Sequence, residues 1–164
     1  MNPSEKEATV YKILSQLKIT YSTLEHDVIT TMEQGREISQ KLEGVIPIKL
    51  LLLDKKTGKL YLYVKLNDGK KISFKDLGNA LGTKNLSMAP GNLLQTKLGV
   101  GIGCATIFAL LNDPDKEINI IIDKNIPPDQ KINFHPMRND ATTTIHYSDM
   151  IKYLDFFGHH VEFL

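Results

Sequence analysis

Tryptophan is absent from this 164-residue chain, and cysteine occurs once, at Cys104. A lone cysteine makes no internal disulfide and no cysteine-based zinc cluster, so neither is expected to hold the fold. Apolar runs such as Leu50 to Leu53 are far shorter than the ~20 residues that cross a bilayer. The opening Met1-Asn2-Pro3-Ser4-Glu5-Lys6 is polar and has no apolar leader core, which points to a cytoplasmic protein without a membrane role. Charge of one sign is also missing. The formal net charge is +1, which argues against a general nucleic-acid coat but leaves room for a local patch.

What is present is an ordinary globular balance, 41% apolar and 24% charged, with enough length for a sizeable core. One domain spanning 1–164 is the simplest division. The lysines are uneven. Lys49, Lys55, Lys56, Lys59, Lys65, Lys70, Lys71 and Lys75 share a segment whose early acids are Asp54 and Asp68, whereas Asp113 to Asp129 leans acidic. Such asymmetry suits a polyanion on one face, and equally suits edge lysines that keep a sheet soluble.

Periodicity outlines the elements. Pro3 to Leu17 reads as a helix capped by Asn2, with Val10, Ile13, Leu14 and Leu17 on one stripe. Tyr21 to His26 reads as a strand. Thr30 and Glu33 form a capping box for a helix to about Leu42, ended by Gly44. Ile48 to Leu53 reads as a strand buried on both faces, and Lys55-Lys56-Thr57-Gly58 turns it into Leu60 to Val64. Ser73 caps a helix to Leu81, and Pro90 to Leu98 is another, closed by Gly99. Ile107 to Leu111 and Ile118 to Asp123 read as strands. The strand from Ile132 ends near His135, because Pro136 cannot donate to a ladder and holds its predecessor extended. Thr142 to His146 is its neighbour, Ser148 caps a helix to Phe157, and His160 to Leu164 closes the chain. Hairpins beside crossovers give an α/β (α+β) fold: a mixed, mostly antiparallel, curved sheet flanked by helices.

Asn133-Phe134-His135-Pro136-Met137-Arg138-Asn139-Asp140-Ala141-Thr142-Thr143-Thr144 is the most informative stretch. It sets one histidine at a strand end, where a side chain reaches a cleft, and follows it with an amide, a carboxylate and three hydroxyls. Taken alone, His135 is as readily a half-buried structural histidine as a site residue. Asp140 and the threonines suit the backbone of the histidine turn. His26, His146, His159 and His160 show no acid–base or metal spacing, and Cys104 reads as a buried thiol with no neighbour to activate it. Gly101-x-Gly103 lacks the third glycine and the following helix of a dinucleotide loop.

Three blocks in order carry a resemblance over nearly the whole chain. Lys49 precedes an apolar strand and the Asp54 to Gly58 turn. Leu98-Gly99-Val100-Gly101-Ile102-Gly103-Cys104-Ala105-Thr106 is a glycine loop running into an apolar segment. Asn133 to Thr144 is the histidine block. Together they resemble the prolyl-tRNA synthetase-associated, YbaK-type editing domains, and most of all the free-standing members of that family that remove alanine from proline tRNA. The resemblance implies the family fold and hydrolysis of a mischarged aminoacyl-tRNA ester, without a metal, an organic cofactor or a protein nucleophile. It implies Lys49, His135 and Gly103 as catalytic residues. Lys49 would hold the terminal phosphate or the ester carbonyl, and His135 the substrate, its 2′-hydroxyl or a water. The backbone around Gly101 and Gly103 would approach the substrate and supply an oxyanion site. Asn139 joins the substrate-binding set, and Leu50, Ile107 and Phe108 would line an alanine-sized pocket that excludes proline. The partners implied are a tRNA acceptor end carrying the wrong amino acid, lying along the lysine-rich face, and prolyl-tRNA synthetase. The family often has asparagine where Leu50 stands and proline where Ile107 stands. These two positions motivate an alternative, a tRNA- or synthetase-binding module with weakened catalysis. A hydrolase of some other small acyl ester, indifferent to the tRNA body, is a third reading.

Overall fold

The hairpin of Ile48–Asp54 and Leu60–Lys65 is the part of the fold most directly written by local sequence. Apolar Ile48–Asp54 (β2) runs into a turn in which the Asp54 carboxylate accepts from the backbone N–H of Lys56 at 3.0 Å, and Gly58 takes a left-handed φ of 78°. Leu60–Lys65 (β3) returns antiparallel, with Ile48 opposite Lys65 and Leu53 opposite Leu60. A computed structural model describes residues 3–164, with side chains from Glu5 onward; the Asn2 cap lies outside the described residues.

Around this hairpin the chain runs as α1 (Pro3–Gln16), β1 (Ser22–Glu25), α2 (Met32–Ser39), β2, β3, α3 (Phe74–Leu81) and β4 (Leu86–Met88). There follow α4 (Gly91–Leu93), which continues as a π-helical turn over Leu94–Leu98, and a 3-10 helix over Ile107–Asn112. The chain closes with β5 (Ile118–Ile122), β6 (Lys131–Phe134), β7 (Ala141–His146), α5 (Tyr147–Phe157) and β8 (Val161–Phe163). The strands form two sheets rather than the one expected. A five-stranded sheet has the order β4-β2-β3-β5-β8, and a three-stranded sheet the order β1-β7-β6. The β3–β5 and β5–β8 pairs are parallel, and the other four are antiparallel.

The five-stranded sheet has a side-chain alternation that matters for the site. Leu51 and Leu53 of β2 pack into the main core with Leu14, Leu62, Phe108 and Tyr153. Leu50 and Leu52 face the other way, into a smaller cluster with Tyr61, Tyr63, Leu77 and Ile121 beneath α3. Successive strand residues point to opposite faces, so Lys49 shares the main-core side with Leu51.

Three expectations need correction. Ile107 to Leu111 is not a strand. Thr106 caps it by accepting from the Phe108 N–H at 3.2 Å, and Ile107, Phe108, Ala109 and Leu110 are fully buried. A short run that is apolar on every side reads alike as a buried strand or a buried helical turn. The second helix begins one residue later than expected and ends earlier, at Ser39. Its box pairs Thr31 with Gln34, not Thr30 with Glu33. The last helix is preceded by His146, with no side-chain cap from Ser148. Gly44 is required where it stands: its φ is 81°, and a Cβ there would meet the Lys131 carbonyl oxygen at 2.0 Å. That close approach lets Lys131 O accept from the Val45 N–H at 2.8 Å, tying the entry of β2 to β6.

Candidate active site

β6 and β7 set the histidine in place. The ladder ends at the Phe134–Thr143 pair, and the chain then turns through Pro136 and Met137, whose φ is 71°. The His135 Nδ1 lies 2.8 Å from the Ala141 carbonyl oxygen. A carbonyl only accepts, so Nδ1 carries the proton and Nε2 keeps its lone pair. Burial, the nearby Lys49 charge and His26 together push the His135 pKa down to about 4, against the Ala141 bond that raises it. The ring is therefore neutral at pH 7.

Arg138 clamps the same turn. Its guanidinium donates to Glu7 at 2.9 Å, Glu25 at 2.9 Å and Asp140 at 3.0 Å, and so joins α1, β1 and the histidine turn. Glu7 and the other carboxylates hold the guanidinium pKa above its already high value. A half-exposed network of this kind orients more than it stabilises. Asn133 does similar work on the other flank. Its amide donates to the carbonyls of Glu43 at 2.8 Å and Val45 at 3.0 Å, and its oxygen accepts from the Thr144 hydroxyl.

Lys49 and His135 line one cavity of about 380 Å³. Asn67, Asn133, Phe134 and Thr142 complete its inner wall. The outer wall is α2 and its flanks, through Ile29, Met32, Ile38, Leu42 and Ile46. Lys49 is half-buried and desolvation lowers its ammonium pKa to about 8, so it remains mostly charged at neutral pH. No carboxylate pairs with it among the described residues. A cation and a neutral imidazole sharing one largely apolar cavity are arranged to meet an anionic or strongly polar group supplied from outside.

The other predicted residues are placed differently. Gly101, Ile102 and Gly103 form an exposed turn in which the Cys104 N–H donates to the Gly101 carbonyl at 3.1 Å; Gly103 has a φ of 84°. A Cβ at Gly101 or Gly103 would meet nothing within 4 Å. The loop is thus open to an incoming group, although it does not line the 380 Å³ cavity itself. Cys104 is buried, and desolvation pushes its thiol up to about 11 despite the Lys49 charge, as befits an inert thiol beside the lysine. Leu50 points into the smaller cluster, away from Lys49. Ile107 and Phe108 are sealed in the core, where Phe108 packs edge-on against Phe134 and Tyr153. None of these three lines the cavity, so the expected alanine-sized pocket built from them is not there. Asn139 is exposed on the turn and is likewise outside the lining.

Sequence reasoning missed His26 and Thr142. The His26 Nε2 lies 2.9 Å from the Thr142 hydroxyl, across 116 residues of chain, and its ring centroid is 6.4 Å from that of His135. No spacing in the chain signals that pairing; only the β1–β7 register creates it.

Residues 26–153 match the family model described as the aminoacyl-tRNA editing domain. The chain belongs to that family. The match begins at His26 and includes Lys49, the glycine loop and the histidine turn. Among relatives, the prolyl-tRNA editing protein ProX of Acetoanaerobium sticklandii is 34% identical over 152 residues, covering 93% of this chain and 92% of that protein. The mouse prolyl-tRNA synthetase associated domain-containing protein 1 is 33% identical over 163 residues, covering 97% and 95%. The crystal structure of a candidate trans-editing enzyme for prolyl-tRNA synthetase superposes with a TM-score of 0.66 at 16% identity, over 97% of this chain and 96% of that one. A hypothetical protein of known structure reaches 0.72 at 18% identity, over 93% and 95%. This editing domain is an aminoacyl-tRNA deacylase, a hydrolase acting on the ester of a mischarged tRNA. No helix among its described residues is long and apolar enough to cross a membrane.

Proposed function

We propose that residues 1–164 act as one cytoplasmic editing domain that removes alanine in trans from proline tRNA. The observation that carries this reading is the convergence of Lys49 and His135 on one cavity within the family match. The choice of proline tRNA is supported by the relative named for prolyl-tRNA editing, and the choice of alanine by the resemblance of the three sequence blocks. Prolyl-tRNA synthetase supplies the substrate by releasing its charging error. Lys49 holds the ester carbonyl as charge develops on it, or the adjoining phosphate. His135, with a pKa of about 4, is too weak a base to strip a proton from water at pH 7, so its Nε2 orients by accepting a hydrogen bond. The cavity is much larger than a methyl group, so it takes the terminal adenosine together with the aminoacyl group, and volume alone does not reject proline.

The test is deacylation of purified alanyl-, prolyl-, cysteinyl- and seryl-tRNA(Pro). Selective hydrolysis of the alanyl ester is expected. Faster loss of cysteine or serine would reassign the amino acid, and equal activity on a free alanyl ester would remove the tRNA from the recognition.

The strand register divides the lysine-rich segment. Lys55, Lys56 and Lys59 sit at the hairpin turn, five or more residues along the hairpin from Lys49 and so about 16–20 Å away. Lys70, Lys71 and Lys124 lie at the opposite end, where Asn67 reaches the cavity and Lys71 and Lys124 share a shallow hollow with paired Lys65. Lys70, Lys71 and Lys124 are exposed. This nearer rim is proposed to take the acceptor-strand phosphates. Replacing all three by Gln should weaken binding of uncharged tRNA and lower the slope of log affinity against log salt by about 2–3. The Lys55, Lys56, Lys59 triple variant should leave that slope nearly intact, as filter binding across a salt series would read.

A further inference from the structure

The cavity wall contains a hydroxyl whose direction is set from behind. Thr142 lines the cavity and is 6% exposed. His26 stands outside the cavity, held by its backbone N–H on the Asp140 carbonyl at 2.9 Å and by Nδ1, which lies 2.8 Å from the Asp27 carbonyl oxygen. That carbonyl can only accept, so Nδ1 bears a proton, and in the tautomer this bond selects Nε2 is the acceptor. In that tautomer Thr142 donates its hydroxyl proton to His26 Nε2, 2.9 Å away. With its proton committed outward, the Thr142 oxygen can only accept from whatever enters the cavity.

His135 is in the same position by the same logic. Its Nδ1 is committed to Ala141, the residue before Thr142, and its Nε2 is free to accept. The cavity thus presents two acceptors, His135 oriented by Ala141 and Thr142 oriented by His26, in the same lining as the Lys49 cation. A water molecule has two protons to donate. An ester carbonyl and a phosphate have none, and Lys49 suits those.

We propose that Thr142, its hydroxyl oriented by His26, holds the hydrolytic water together with His135, so that Thr142 is a catalytic residue and His26 a positioning residue. The inference rests on the deacylase reading. The water, donating to Thr142 Oγ1 and His135 Nε2, turns a lone pair toward the ester carbon, whose carbonyl oxygen is held by Lys49. Its oxygen bonds to that carbon and the bond to the ribose oxygen breaks. One water proton ends on the departing ribose hydroxyl, and the second leaves the new carboxyl group to solvent as the carboxylate forms.

The experiment is steady-state deacylation of alanyl-tRNA(Pro) by Thr142→Val, Thr142→Ser, His26→Ala and His26→Gln, with melting temperatures beside the kinetics. Thr142→Val keeps the shape and removes the acceptor, and should lower kcat about 100-fold with KM within about twofold. Thr142→Ser should restore most of the rate. His26→Ala should lower kcat about 10-fold, and His26→Gln, whose amide oxygen can accept from Thr142, should recover part of it. Thr142→Val at full kcat, or Thr142→Ser as slow as the valine variant, would overturn the assignment while leaving the deacylase reading intact. If the valine variant melts near the assay temperature, the serine and glutamine variants decide alone, since each preserves polarity: both slow and both stably folded would also overturn it. A wild-type protein inert toward the alanyl, cysteinyl and seryl esters would overturn the editing reading and this assignment together.

Discussion

Lys49→Met is expected to be inert and more stable than the wild type. Lys49 stands without a carboxylate partner beside a largely apolar cavity, and desolvation brings its ammonium pKa to about 8 from the ordinary 10.5. The charge therefore costs the folded state at most about 3 kcal/mol at neutral pH, and less where the half-exposed side chain keeps some water. Methionine keeps the stem and removes the charge. A gain of about 1–3 kcal/mol follows, read as a melting temperature higher by about 3–8 °C. The pH dependence has a definite sign. Below pH 8 both folded and unfolded chains hold the proton and the cost is fully present. Between pH 8 and 10.5 the folded chain gives it up first, the cost is relieved, and wild type gains on the variant. A gap that stays constant from pH 7 to 10 would contradict the buried-charge account. Deacylation by the variant should fall about 10²–10³-fold, the usual loss for one electrostatic contact to a developing oxyanion. The proposed role of Lys49 accounts for this stored instability, since the substrate would supply the partner that the protein does not.

His135→Ala should lower kcat by about 100-fold, and its wild-type counterpart should be unusually tolerant of acid in its activity but not in its stability. With a folded-state pKa of about 4, His135 stays a neutral acceptor down to about pH 5, so no loss of kcat from this residue is expected between pH 7 and 5. The unfolded chain, in contrast, takes up a proton on this histidine near pH 6.5. Stability owed to the neutral ring is complete above pH 6.5 and is lost progressively as pH falls toward 4. Urea unfolding of wild type and His135→Asn at pH 7, 6 and 5 measures this. The difference between them should shift in favour of asparagine by about 1–2 kcal/mol over that interval, allowing for the partial exposure of the ring. An unchanged difference would mean that His135 titrates normally and that its burial does not matter.

The local elements were legible wherever a side chain answers to its own segment. The Asp54 to Gly58 turn, the Ser73 cap on α3 and the stop at Gly99 all lie where sequence places them. Ile107 to Leu111 failed because complete burial erases the periodicity that separates a strand from a helical turn. The capping box falls on Thr31 and Gln34, one place beyond Thr30 and Glu33, because Thr30 and Thr31 are equivalent on paper. In the site, Lys49 and His135 could be singled out through the resemblance of the blocks around them, and the structure sets both on one cavity. Leu50 was misplaced by the same adjacency. In a strand, the residue next to a site lysine faces away from it. His26 and Thr142 were invisible because strand pairing, not spacing, brings them together.

That pairing has a consequence for a ribosome making this protein. The Lys49 hairpin is complete within the first 65 residues and needs only local closure. β1, made earlier still, has no strand partner until β7 appears, with Thr23 and Thr143 separated by 120 residues. Arg138 reaches Glu7 across 131. A nascent chain therefore carries its lysine long before it can seat a histidine against it, and β1 waits with both edges open. Editing capacity arrives all at once, when β7 slots between two strands already waiting for it.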